Sequence, residues 1–220
     1  MEQNIEVSTI QKALDYAYEK AINGLPGTDT AEALAQSYLK VNVNPIDAAN
    51  SLVNWQVAKC ATAGFLTNIG GLMTLPVAIP ANISSVLYVQ IRMIASIAHI
   101  GGFDVKNDQV KTYVLLVLIG QSLTDAGKDL GIKFATKVAQ KTIIDRIPGE
   151  VIIKINKWIG FRLLTKAGET GLINLTKLVP FIGGIVGGAI DGTTTRLIGA
   201  RAIDAFCNKN NDFDIVFTDE

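Results

Sequence analysis

With 20 basic and 20 acidic side chains, the 220-residue chain carries no net charge, which argues against bulk nucleic-acid binding. Charged residues make up 18% and hydrophobic residues 49%, against a usual charged share of about 25%, and the mean hydropathy is +0.31. The length is that of one domain with a real core, and the composition excludes a disordered or strongly charged chain.

The charge is unevenly spread. Residues 1–50 hold seven acids and three bases, residues 128–166 nine bases and three acids, and residues 201–220 five acids and two bases. The opening, MEQNIEVSTIQKALD, lacks the positive and then apolar pattern of a secretory leader. Cys60 and Cys207 lie far apart, so a disulfide framework is not expected and a reducing, cytoplasmic compartment fits.

Ser8 or Thr9 can cap a first helix with Ile10, Leu14, Ala17, Tyr18 and Ala21 on one face, ended by Gly24. Asp29-Thr30-Ala31-Glu32 resembles a capping box before a helix containing Leu34, Tyr38 and Leu39. Asn44-Pro45 pairs a cap with a proline at the first helical position and opens a third helix through Val53 and Val57.

Between Lys59 and Arg92 run 32 residues without a formal charge. The run could cross a bilayer by length, yet Gly70, Gly71, Pro76, Pro80 and Asn82 break it. A bent helical hairpin is expected, its second arm running from about Asn82 to Ile100. That arm is apolar nearly all round, so it is buried in protein or in lipid.

Gly101-Gly102 stops it, and a further helix opens between Asp104 and Asp108 and reaches about Leu123. Leu130, Phe134 and Val138 keep helical spacing beside Lys133, Lys137 and Lys141. Residues 150–166 form a basic amphipathic helix, and a last helix spans about Phe181 to Phe206. No segment sustains a period of two. The expected fold is all-α, with eight or nine helices in a single domain over residues 1–207, followed by a disordered acidic tail over 208–220.

Gly184, Gly188 and Gly192 recur at i, i+4 and i+8, baring one helix face for close approach by another backbone, in a protein core or in a membrane. Arg92, Asp191, Arg196 and Arg201 are charges in apolar helices, and such charges are costly unless paired. Asp191 is expected to pair with Arg92 or another of these arginines. The pair is either structural or part of a buried polar site with Asn82, Gln90, Thr194 and Arg196, where the glycine-bearing helices cross.

Lys154, Lys157, Trp158 and Arg162 could place the basic helix on an anionic membrane surface; a solvated lysine face is the alternative. His99 is the only histidine, and no zinc, thiol-pair or phosphate-loop signature occurs. The tail residues Asn208, Asn210, Asp212 and Asp214 alternate like calcium ligands, but Phe213 stands where the turn needs glycine and Asp219 where a bidentate glutamate belongs. No metal and no cofactor is expected, and no feature specifies an oligomeric state.

The run GFLTNIGGLMTLP over residues 64–76, VAIPA over 77–81, YVQIRMIA over 88–95 and IAHIGGFD over 97–104 resembles the EcsC family of bacterial proteins. So do VPFIGGIVGGAID over 179–191, Thr193 to Arg196, and the upstream AEALAQSYL and WQVAK segments. The resemblance covers roughly residues 25–207. It implies a helical intracellular protein near the membrane or an ABC transporter, and it brings no catalytic residues. The expectation is therefore a non-enzymatic module, peripheral at the inner face of the cell membrane, that binds a membrane component or a protein partner, the membrane surface or a membrane protein being the candidates. An enzyme or ligand binder built on Arg92, Asp191 and Arg196 is the alternative, and an integral protein with the 60–91 hairpin in lipid is a third reading.

Overall fold

A computed structural model describes residues 7–60, 81–132, 138–139, 144, 147–168, 192–208 and 212–213. Among them are eight helices: α1 (Val7–Asn23), α2 (Ala31–Leu39), α3 (Pro45–Cys60), α4 (Ala81–Ile100), α5 (Asp108–Leu118), α6 (Leu123–Leu130), α7 (Gly149–Gly168) and α8 (Gly192–Cys207). The chain is an all-α bundle. One two-residue antiparallel ladder, β1 (Val138–Ala139) with β2 (Asp212–Phe213), accompanies the helices.

The helix boundaries follow local chemistry. Thr30 caps α2 by accepting from the Ala33 N–H at 3.0 Å. It caps alone, because the residue three positions on is Ala33 and no reciprocal acid stands there. Asn44 accepts from the Asp47 N–H at 2.9 Å, and Pro45 then opens α3. Two corrections to the sequence reading lie around α6. The helix expected to reach Leu123 stops at Leu118, because Gly120 takes a φ of +71° and Ser122 starts α6 with a full capping box. The helical spacing through Val138 also fails there: Gly131 ends α6 in the left-handed region, and Val138 joins the ladder. The acidic tail, expected to be disordered, supplies the other strand at Asp212–Phe213.

α4 is the centre of the bundle. It packs against α1, α2, α3, α5 and α8, and every residue from Val86 to Ala98 is buried. α7 lies outside, against α1, α5 and α6. Three glycines permit close helix contacts. A Cβ on Gly101 would sit 2.2 Å from the Phe206 carbonyl oxygen, one on Gly199 2.5 Å from the Val53 side chain, and one on Gly160 2.8 Å from Val7. Phe206 is itself wedged edge-on between the rings of Phe103 and Tyr113, at 5.2 and 5.0 Å.

The glycine-bearing end of α8 meets α3, and α8 also packs on α4, the second arm of the expected hairpin. A Cβ on Gly192 would approach Val57 of α3 at 3.1 Å, and Gly199, two turns on, meets Val53 of the same helix. Gly184, Gly188, Asp191 and the first arm of the 60–91 hairpin lie outside the described residues.

Candidate functional site

The polar side chains of α4 fall on two faces. Tyr88, Arg92, Ser96 and His99 follow one another at three- and four-residue steps, which places them in one stripe. Each meets the α1–α2 connection or α2. The Tyr88 hydroxyl lies 2.8 Å from the Thr28 hydroxyl. Arg92 donates from Nε and Nη2 to the Asp29 carbonyl at 3.1 and 2.8 Å. Ser96 donates to the Ala31 carbonyl at 3.0 Å, and the His99 ring nitrogen lies 3.1 Å from the Gln36 amide. This stripe holds the start of α2 on α4: Arg92 and Ser96 satisfy the Asp29 and Ala31 backbone oxygens, and Tyr88 and His99 pair with side chains.

Gln90 faces elsewhere. Two residues from Arg92 on a helix is a rotation of about 200°, so Gln90 turns to α8 and donates to the Thr195 hydroxyl at 3.2 Å. Its Oε1 is buried with no hydrogen-bond partner among the described residues. Arg196, the next residue after Thr195, is exposed. The described members of the expected buried polar site do not come together. Arg92 and Gln90 point apart, and the inclusion of Arg196 is corrected: the turn that puts Thr195, Ile198 and Ala202 into the core carries Arg196 out of it. Asp191 and the side chains of Asn82 and Thr194 lie outside the described residues. Among the described residues no carboxylate is within ion-pair distance of Arg92.

Two titratable groups inside the bundle, Cys207 and Tyr18, are held in their neutral forms. Burial pushes the Cys207 thiol up to about 11, so it is protonated at neutral pH and no ready nucleophile. Burial first, then the nearby Asp104 and Asp108, raises Tyr18, which stays a hydroxyl donor to the Val105 carbonyl at 2.8 Å. Among the described residues no group of His, Cys, Asp and Glu could hold a metal ion.

The outer helix α7 differs in kind. Ile152, Ile155, Ile159 and Leu163 face the core. Lys154 and Lys157 are exposed, as their spacing predicts. One of the expected surface residues is corrected. Trp158 is buried, only 8% exposed, because it lies at the edge of the core-facing side. Arg162 covers its ring at 4.8 Å and is bound to Asp129 of α6 at 2.6 Å. In the place of Trp158 stand Ile153 and Phe161, each 56% exposed. The signal was present as an i, i+4, i+8 series, Ile153, Lys157 and Phe161, on the lysine side. With Glu150 and Lys154 these residues fill an arc of about 100°.

The EcsC protein family model matches residues 7–207. The chain belongs to the EcsC family. No curated protein and no solved structure matches it. Among the described residues of this EcsC chain, no helix is long and apolar enough to cross a membrane. α4, the most apolar helix read from sequence, has its long apolar side chains from Val86 to Ile100 occupied by protein.

Proposed function

We infer that the protein is a non-enzymatic helical module that docks reversibly on an anionic membrane surface, at the inner face of the cell membrane, through the outward arc of α7. The observation that supports this reading is the mixture in that arc of two large apolar side chains, Ile153 and Phe161, with two ammonium groups, Lys154 and Lys157. A helix so arranged lies in the headgroup plane. Its apolar side chains enter the acyl boundary while the lysines reach up to phosphate.

The magnitudes set the kind of binding. Each lysine gains about 1 kcal/mol near an anionic leaflet, and Glu150 offsets one of them. Ile153 and Phe161 add about 2–3 kcal/mol together, since more than half of each is open and full burial is worth about 1.5–3 kcal/mol. A single myristoyl chain gives an association constant of about 10⁴ M⁻¹ and only reversible attachment; the arc falls somewhat below that. Longer residence takes a second contact, which a membrane protein would supply.

Co-sedimentation with vesicles tests the reading. The full chain should pellet with vesicles containing phosphatidylglycerol, be released by high salt, and stay in solution with phosphatidylcholine alone. Phe161→Ser and the double change Lys154→Gln with Lys157→Gln should each lower the bound fraction several-fold. Equal binding to both vesicle types, or no effect of either variant, would remove the membrane role.

A further inference from the structure

The outward arc of α7 is interrupted by a cavity of about 230 Å³ where α7 crosses α1 and α5. Its apolar lining is Leu14, Leu115, Ile153 and Ile159, and its polar lining is Gln11, Asp15, Asn156 and Lys157. Ile153 and Lys157 belong both to the cavity and to the arc, so the two share a rim. Asp15 brings no surplus negative charge, because Lys111 binds it at 2.6 Å. Thr112 donates to the Asn156 carbonyl oxygen at 3.1 Å, which turns the amide nitrogen into the end that remains for a ligand. The rim therefore offers one net positive charge and amide donors above an apolar floor. That combination suits a phosphate diester continuing into a hydrocarbon chain. The volume is below the roughly 300–1,000 Å³ of sites that enclose whole ligands, so only the junction of headgroup and chain can enter.

The geometry points to a site for one anionic phospholipid in this cavity, with Lys157 and Asn156 holding the phosphate and the first methylenes resting on Leu14, Leu115 and Ile159. The inference rests on the membrane reading for its source of lipid, yet the two can fail separately. Bound at the rim, such a lipid would make the attachment selective for anionic headgroups by hydrogen bonding as well as by charge.

The test is calorimetric titration of the full chain with dihexanoyl phosphatidylglycerol below its micelle concentration, with dihexanoyl phosphatidylcholine, and with glycerol phosphate. The glycerol lipid should bind one-to-one and saturate, with the choline lipid and the chainless phosphate each at least about tenfold weaker. Gln11→Phe, which fills the cavity from α1, should weaken the glycerol lipid about tenfold. Asn156→Asp, which keeps the oxygen facing Thr112 and replaces the donor with a negative charge, should do the same and serves if the first variant does not fold. Phe161→Ser, outside the cavity lining, should leave this binding intact while vesicle binding falls. Absence of saturable binding overturns the site even if vesicles are bound. Glycerol phosphate binding as tightly as the lipid would make it a free-phosphate site and overturn it too. Saturable lipid binding without vesicle binding upholds the cavity and overturns only the membrane-docking role.

Discussion

α4 and α7 are each twenty residues long, and each carries runs of isoleucine and valine. Their surroundings are opposite. α4 touches five other helices, and its Arg92 and Ser96 are spent on backbone carbonyls of the α1–α2 connection and α2. α7 touches three helices and turns lysines, Ile153 and Phe161 outward. Apolar content alone would send α4 to the lipid and leave α7 in water. What decides is whether the other helices supply enough surface to cover the face, and for α4 they do.

The sharpest way to break this contrast is to pry α4 from its neighbours. Gly101→Ala sets a methyl against the Phe206 carbonyl oxygen. Backbone has to move, so a loss of about 3 kcal/mol or more is expected, at the upper end of overpacking costs, read as a lowered urea midpoint. Arg92→Met comes next. It removes both guanidinium N–H bonds to the Asp29 carbonyl from the buried Arg92 and should cost about 2–3 kcal/mol, the usual worth of hydrogen bonds from a charged group. Retention of full stability would mean that the stripe on α4 does not hold α2.

Asp125→Asn acts at α6, beside α7, and should cost about 1 kcal/mol as a lost cap. It also carries a pH signature. Hydrogen bonds from the Ser122 side chain, then its backbone N–H, hold the Asp125 carboxyl below its ordinary value. Its folded pKa lies below its unfolded one, so its contribution is present at neutral pH and lost as pH falls through the folded pKa. The difference between wild type and variant should therefore shrink in acid, measured by urea unfolding across pH. The smallest stability effect belongs to Lys154→Gln with Lys157→Gln, within about 0.5 kcal/mol, and thermal unfolding checks it. A large loss there would make the arc of α7 part of the fold instead of an outer face.

The sequence pattern made the fold legible wherever capping and period agreed. Thr30, Asn44-Pro45 and the Gly101-Gly102 stop all lie at observed helix boundaries. It misled around Val138, because four-residue spacing continued in the letters past a glycine that turned the chain. The polar site was less legible. Charges in apolar helices suggest a meeting point, but Gln90 and Arg92 are separated by rotation about one axis, which a list of residues does not display. Arg92 found backbone oxygens, and such partners leave no mark in side-chain sequence. For α7 the periodicity placed the lysines, while Trp158 lay at the edge of two faces and burial by Arg162 settled its side.

The hydroxyl pair Thr28–Tyr88 joins positions 60 residues apart, and the Tyr18–Val105 bond joins positions 87 apart. A ribosome extending this chain thus releases the first three helices well before the helix that covers them. Until then Ile10, Leu14, Leu52 and their neighbours are open to whatever else is sticky in the cell. Birth of this protein is consequently a vulnerable interval, one that holdase chaperones would shorten, and protease sensitivity of nascent chains stalled before residue 81 would reveal it.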